Sequence, residues 1–128
     1  MRASPFNLAG RVAIVTGGGR GIGAAIVTRL AQAGATVAVA NRTPDVAEAL
    51  ARELVADGLA AHCVPFDKLD REDLRAMIDG VAAQHGRLDI VVHNAGGCPW
   101  ASLDELDEAK LDETLTLNLT ASIWLAQA

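Results

Sequence analysis

Thr16-Gly17-Gly18-Gly19-Arg20-Gly21-Ile22-Gly23 gathers flexible backbone and one cation at a single turn. Residues of these types do not make or break bonds. They suit a diphosphate, because glycine lets the chain curl around an anion and the first amides of a following helix carry partial positive charge. The glycines have separable jobs. Gly17 takes the turn geometry, Gly21 admits a ligand close to the backbone, and Gly23 lets a helix lie against a strand. No Lys-Ser/Thr pair ends the turn, which argues against a triphosphate loop.

A second group follows the second apolar run. In dinucleotide sites, and usually in methyltransferases, an acid stands here; in the former it bonds the adenosine ribose. This chain has Asn41-Arg42 instead, which removes a negative charge and adds a positive one. With Arg20, two guanidiniums stand near the ribose, a chemistry that suits a 2′-phosphate. NADP(H) is therefore expected over NAD(H). The plainer alternatives are an Arg42 solvated at a helix start and an Arg20 that touches only the diphosphate.

Further polar groups lie where strands end. Asp67 can accept from an exocyclic amine or cap a turn. Asn94 offers a donor and an acceptor at the switch point between the first and fourth strands, or ties loop to sheet. Asn118 stands among Leu115, Leu117, Leu119 and Ile123, so an amide inside an apolar helix is expected there. His93 reads as a packed, hydrogen-bonded residue. Trp100 and Trp124 read as apolar bulk, with Trp100 lining a cleft or covering its loop. Cys63 and Cys98 have neither disulfide nor zinc spacing, and no metal site is expected.

The elements that must position these groups alternate. Arg11 to Val15 reads as a buried strand, and Gly21 to Ala33 as a helix stopped by Gly34. Thr36 to Ala40 is a second strand. Thr43 caps the next helix with Pro44 in its first turn, Leu50 and Leu54 face inward, and Gly58 ends it. Ala61 to Val64 is a third strand. Asp70 caps a helix with Leu74, Met77, Ile78 and Val81 on one face and Gly86 as its stop. Leu88 to His93 is a fourth strand, interrupted near its start by Asp89. After a Gly96-Gly97-Cys98-Pro99 loop, Ser102 to Glu105 has the form of a capping box, and a last helix runs from about Asp107. The expectation is an α/β chain with a doubly wound parallel sheet in the order 3-2-1-4, binding ligand at the strands' carboxyl ends.

Composition bounds the rest. The 128 residues fit one domain; 51% are apolar and 3% aromatic, so the core must be aliphatic. A net charge of -5 with mixed signs argues against nucleic acid. No run approaches a membrane span and no signal peptide is visible, so a cytoplasmic setting is expected.

The Thr16 to Gly23 turn resembles the TGxxxGxG turn of the short-chain dehydrogenase/reductase family. Asn94-Ala95-Gly96 resembles that family's NAG element. Asn118, within Leu117-Asn118-Leu119-Thr120, stands where the family carries a catalytic-site Asn that holds water in a proton relay. Asp67 resembles the acid that bonds the adenine amino group. The resemblance implies a Rossmann-type fold and hydride transfer between a nicotinamide and a small carbonyl or alcohol. It implies a cofactor site at Thr16, Gly17, Gly19, Arg20, Gly21, Ile22, Gly23, Asp67, Asn94, Ala95 and Gly96, joined by Asn41 and Arg42. It also implies a homo-oligomer, dimer or tetramer. The family's Ser and Tyr-x-x-x-Lys do not appear, and the sequence has no tyrosine. Residues 1–128 are thus expected to be one NAD(P)-binding domain, cut within the helix after the fourth strand and inactive alone. The alternative is a truncated non-catalytic module for dinucleotide binding or oligomerisation.

Overall fold

A computed structural model describes residues 6–66 and 69–128. Four parallel strands, β1 (Val12–Thr16), β2 (Thr36–Asn41), β3 (Ala61–Pro65) and β4 (Ile90–His93), lie in the order β3-β2-β1-β4. This is the order the sequence predicts. Helices α1 (Gly21–Gln32) and α2 (Pro44–Ala56) pack on one face. On the other lie α3 (Arg71–His85) and α5 (Ala121–Gln127), reached through α4 (Glu108–Leu115).

The central strands are apolar on both sides because both sides are covered. Ala13, Val15, Val37 and Val39 meet Val27, Ala31, Ala47 and Leu54 of α1 and α2. Val12, Ile14, Ala38 and Ala40 meet Leu74, Met77, Ile78 and Val81 of α3 and Ala121 and Leu125 of α5. Burying each of the larger aliphatic chains contributes roughly 1.5–3 kcal/mol. The small alanines let the helices sit close to the sheet.

Helix ends follow the sequence in part. Asp70 accepts from the Asp73 amide at 2.9 Å, and Gly86 closes α3 at φ 72°. Thr43 occupies the cap position of α2, but its side chain makes no capping bond. Asn41 Nδ2 instead donates to the Thr43 carbonyl at 3.0 Å. Glu105 accepts from both the amide and the hydroxyl of Ser102, at 3.1 and 3.0 Å, which draws its carboxyl below the usual range. That box opens only a short 3-10 turn, Leu103–Glu105. Asp107 caps α4 separately, accepting from the Lys110 amide at 2.8 Å.

Two expectations need correction. The last helix is not continuous: a π-helical turn, Thr116–Thr120, separates α4 from α5. Strand β4 begins at Ile90 rather than Leu88, because Asp89 is already committed. Its carboxylate accepts from the Val12 amide at 2.9 Å, from Arg11 at 2.9 Å and from Arg87, while its own amide donates to the Val12 carbonyl.

Candidate functional site

The turn after β1 stands at the carboxyl ends of the strands, where β1 has β2 on one side and β4 on the other. Gly17 has φ +64° and Gly21 φ +58°, left-handed conformations that side chains resist. A Cβ on Gly23 would overlap the Gly17 carbonyl oxygen and stand 2.6 Å from Nδ2 of Asn94. Close approach of α1 to the turn therefore requires glycine there. Arg20 is the extended residue before α1. It supplies no capping bond, and the helix's first turn holds no acid. The leading amides of α1 thus meet no side-chain cap and no carboxylate of their own, which leaves a region of positive potential at the turn.

Thr16 anchors the turn to β4. Its fully buried hydroxyl accepts from the amides of Asn94 and Ala95, both at 3.2 Å. It donates to His93 Nδ1, also at 3.2 Å. His93 Nε2 lies 3.0 Å from the Leu117 carbonyl, which can only accept, so the ring hydrogen is assigned to Nε2. His93 is thereby a bridge from β1 to the π-helical turn. Its packed, hydrogen-bonded character is legible in the sequence, but its partners are not. Asn94 completes the joint, with Nδ2 donating to the Gly17 carbonyl at 3.1 Å.

Asn118 stands on that π-helical turn. Its Nδ2 donates to the carbonyls of Gly97 (2.6 Å) and Thr114 (2.8 Å), and its Oδ1 accepts from the Gly97 amide at 3.3 Å. A Cβ on Gly96 would lie 2.7 Å from that Oδ1. The amide therefore fastens the loop after β4 to the helix. Its surroundings differ from the sequence expectation. Asn118 is exposed, and Leu115, Leu119 and Ile123 are 45%, 54% and 46% exposed. The apolar positions that the helix buries are Ala121 and Leu125, on another side.

At the end of β2, Asn41 is buried and its amide carbon lies 3.2 Å from where a Gly19 Cβ would be. Arg20 and Arg42 are exposed, and neither has an ion-pair partner among the described residues. Ile22 is 76% exposed at the start of α1. A groove of about 470 Å³ runs beside Gly19, lined by Asp45, Val46, Ala49, Leu50 and Glu53. The structure thus brings Thr16 to Gly23 together with Asn94, Ala95 and Gly96, sets Asn41 against Gly19, and joins Asn118 through Gly97. Asp67 lies outside the described residues. Trp100 is fully exposed, so it does not cover its loop; Trp124 is half-buried under the Arg71 guanidinium, 4.8 Å from the ring centre.

The groups with shifted pKa values are elsewhere. Burial, then the nearby Glu48, pushes the Cys63 thiol up, and burial, then His85, lowers His62. Cys98 is a free, exposed thiol.

Fold and turn together define a Rossmann-type α/β chain with its glycine turn at the switch point of a parallel sheet. The short chain dehydrogenase family model matches residues 11–128, and the chain belongs to that family. It is 41% identical over 123 residues to D-threitol dehydrogenase of Mycolicibacterium smegmatis, covering 96% of this chain and 47% of that enzyme. A Burkholderia cenocepacia short chain dehydrogenase, solved in complex with NADP, is 42% identical with a TM-score of 0.88. That match covers 94% of this chain and 50% of the other. A metagenomic short-chain oxidoreductase, also in complex with NADP, is 38% identical with a TM-score of 0.89, over 94% and 55%. The chain spans about half the length of the relatives it matches. No helix among the described residues is long and apolar enough to cross a membrane.

Proposed function

We propose that these 128 residues are the cofactor-holding part of a short-chain oxidoreductase that uses NADP(H) to interconvert a small carbonyl compound and its alcohol. The observation that carries the reading is the pair of exposed guanidiniums, Arg20 in the glycine turn and Arg42 beside Asn41, the position where a ribose acid would otherwise stand. The NADP complexes of the two similar structures lend support. The cradle fits the cofactor: the leading α1 amides have no carboxylate of their own to satisfy them.

In this reading the amides around Gly17, Gly19, Gly21 and Gly23 hold the diphosphate, with Thr16 fixing the turn from below. Arg20, Asn41 and Arg42 receive the 2′-phosphate end, and Asp67 the adenine amino group. Ile22, Asn94, Ala95 and Gly96 border the nicotinamide side. The bound cofactor supplies or accepts the hydride. Asn118 positions the loop through Gly97 and belongs to the proton relay by resemblance. The sequence holds no tyrosine, so the general acid of the reaction is not among these residues, and the chain alone binds without turnover. A homo-oligomer in a cytoplasmic setting is part of the same proposal; the exposed stripe of Leu111, Leu115, Leu119 and Ile123 suits association.

Titration of the chain with NADPH, followed by nicotinamide fluorescence, tests the reading. Saturable binding, with no oxidation of NADPH when ketones are added, is the expected result. Absence of saturable binding overturns the cofactor assignment. Turnover by the chain alone overturns the assignment of the acid to another segment.

A further inference from the structure

His62 and His85 come from different layers of the fold. His62 is the second residue of the edge strand β3, registered against Ala38 of β2. His85 is the last residue of α3. Their side chains meet with Nε2 atoms 3.5 Å apart and ring centres 4.9 Å apart, the rings inclined at 48°. Both residues are half-buried. The meeting point is near the amino-terminal end of β3, whereas the glycine turn stands at the strands' carboxyl ends. Neither histidine has a role in the cofactor site.

We propose that His62 and His85 form a two-imidazole site for a borderline divalent transition metal, Zn²⁺ in the first instance. Two nitrogens bound to one tetrahedral Zn²⁺ at 2.0–2.1 Å stand about 3.3 Å apart, so the observed spacing needs only a small adjustment. Imidazole nitrogen suits zinc, copper and nickel, and does not suit calcium or magnesium, which take oxygen ligands. No group of three or more His, Cys, Asp or Glu gathers among the described residues, so water completes the coordination. The bound ion clamps an edge strand to a helix end. It therefore stabilises the fold by an amount that grows with the logarithm of the free ion concentration once that exceeds the dissociation constant.

Calorimetric titration of the untagged chain with Zn²⁺ is the test. One saturable site is expected, with a rise in thermal midpoint that EDTA reverses. His62→Ala and His85→Ala should each abolish both effects while Cys98→Ser retains them, and Mg²⁺ should give neither. NMR of the unsubstituted chain covers the case in which a variant does not fold. Zn²⁺ should shift the ring signals of His62 and His85 together and leave His93 unmoved. Absence of saturable binding overturns the proposal. So does binding that survives either alanine substitution, or ring shifts confined to His93.

Discussion

Asn94 reaches across from the end of β4 and donates to the carbonyl of Gly17 at 3.1 Å, and that one bond sets how closely α1 can approach. The same nitrogen and the same carbonyl occupy the space where a side chain on Gly23 would begin. Strand, loop and helix therefore meet at a point with no spare volume.

The two neighbouring glycines should respond differently to alanine. Gly23→Ala forces α1 away from the turn and should cost about 3 kcal/mol of stability, with loss of NADPH binding. Gly21 has open space around it and is limited by its φ of +58° alone. Gly21→Ala should cost about 1–2 kcal/mol. Urea unfolding followed by circular dichroism checks both; equal costs would mean that crowding at Gly23 is relieved by movement of Asn94.

Removing the Thr16 hydroxyl leaves two amides, those of Asn94 and Ala95, without their acceptor. Thr16→Val should destabilise the chain by about 2 kcal/mol, and Thr16→Ser should come close to the parent. The same denaturation measurement decides. A valine variant as stable as the parent would show that water takes over the role.

Arg42→Ala should weaken NADPH binding roughly tenfold to a hundredfold and leave NADH nearly unaffected, since a charge-assisted phosphate contact is worth about 1.5–3 kcal/mol. Parallel titrations with the two cofactors measure the ratio. Equal losses would place Arg42 on the diphosphate, and no loss with either cofactor would place it on neither.

Arg87, the Val12 amide and Arg11 hold the Asp89 carboxyl well below the usual carboxylate range. The folded pKa is lower than the unfolded one, so the contribution of Asp89 is fully present above about pH 4 and is lost as pH falls through the folded value. The thermal midpoint should drop on acidification in that window, and the drop should be smaller in Asp89→Asn. Identical acid profiles for the two proteins would contradict the assignment.

Strand order and the glycine turn were legible because they rest on local signals. Apolar runs, glycines at element ends and the strict alternation of strand and helix all act within a few residues. What was not legible depends on partners distant in sequence. Asp89 ends up on Val12, Arg11 and Arg87, and no local pattern announces that β4 starts late for this reason. His93 shows its packing in its position, but Leu117 becomes its partner only when the π-helical turn folds back beside the end of β4. Asn41 takes the Thr43 carbonyl while the Thr43 side chain makes no cap, a local competition that propensity does not rank. The leucines around Asn118 suggested an interior, yet the buried side of that helix is carried by Ala121 and Leu125.

The π-helical turn at Thr116–Thr120 also sets a rule for insertions and deletions. A wide turn holds one residue more than a regular helix needs, so it shifts the angular phase of everything after it by about 100°. With that shift, Ala121 and Leu125 reach the layer formed by α3. Deleting a single residue between Thr116 and Thr120 would give a more regular helix and a worse protein, with Ala121 and Leu125 rotated off the core. The length of this segment is thus constrained more tightly than its composition.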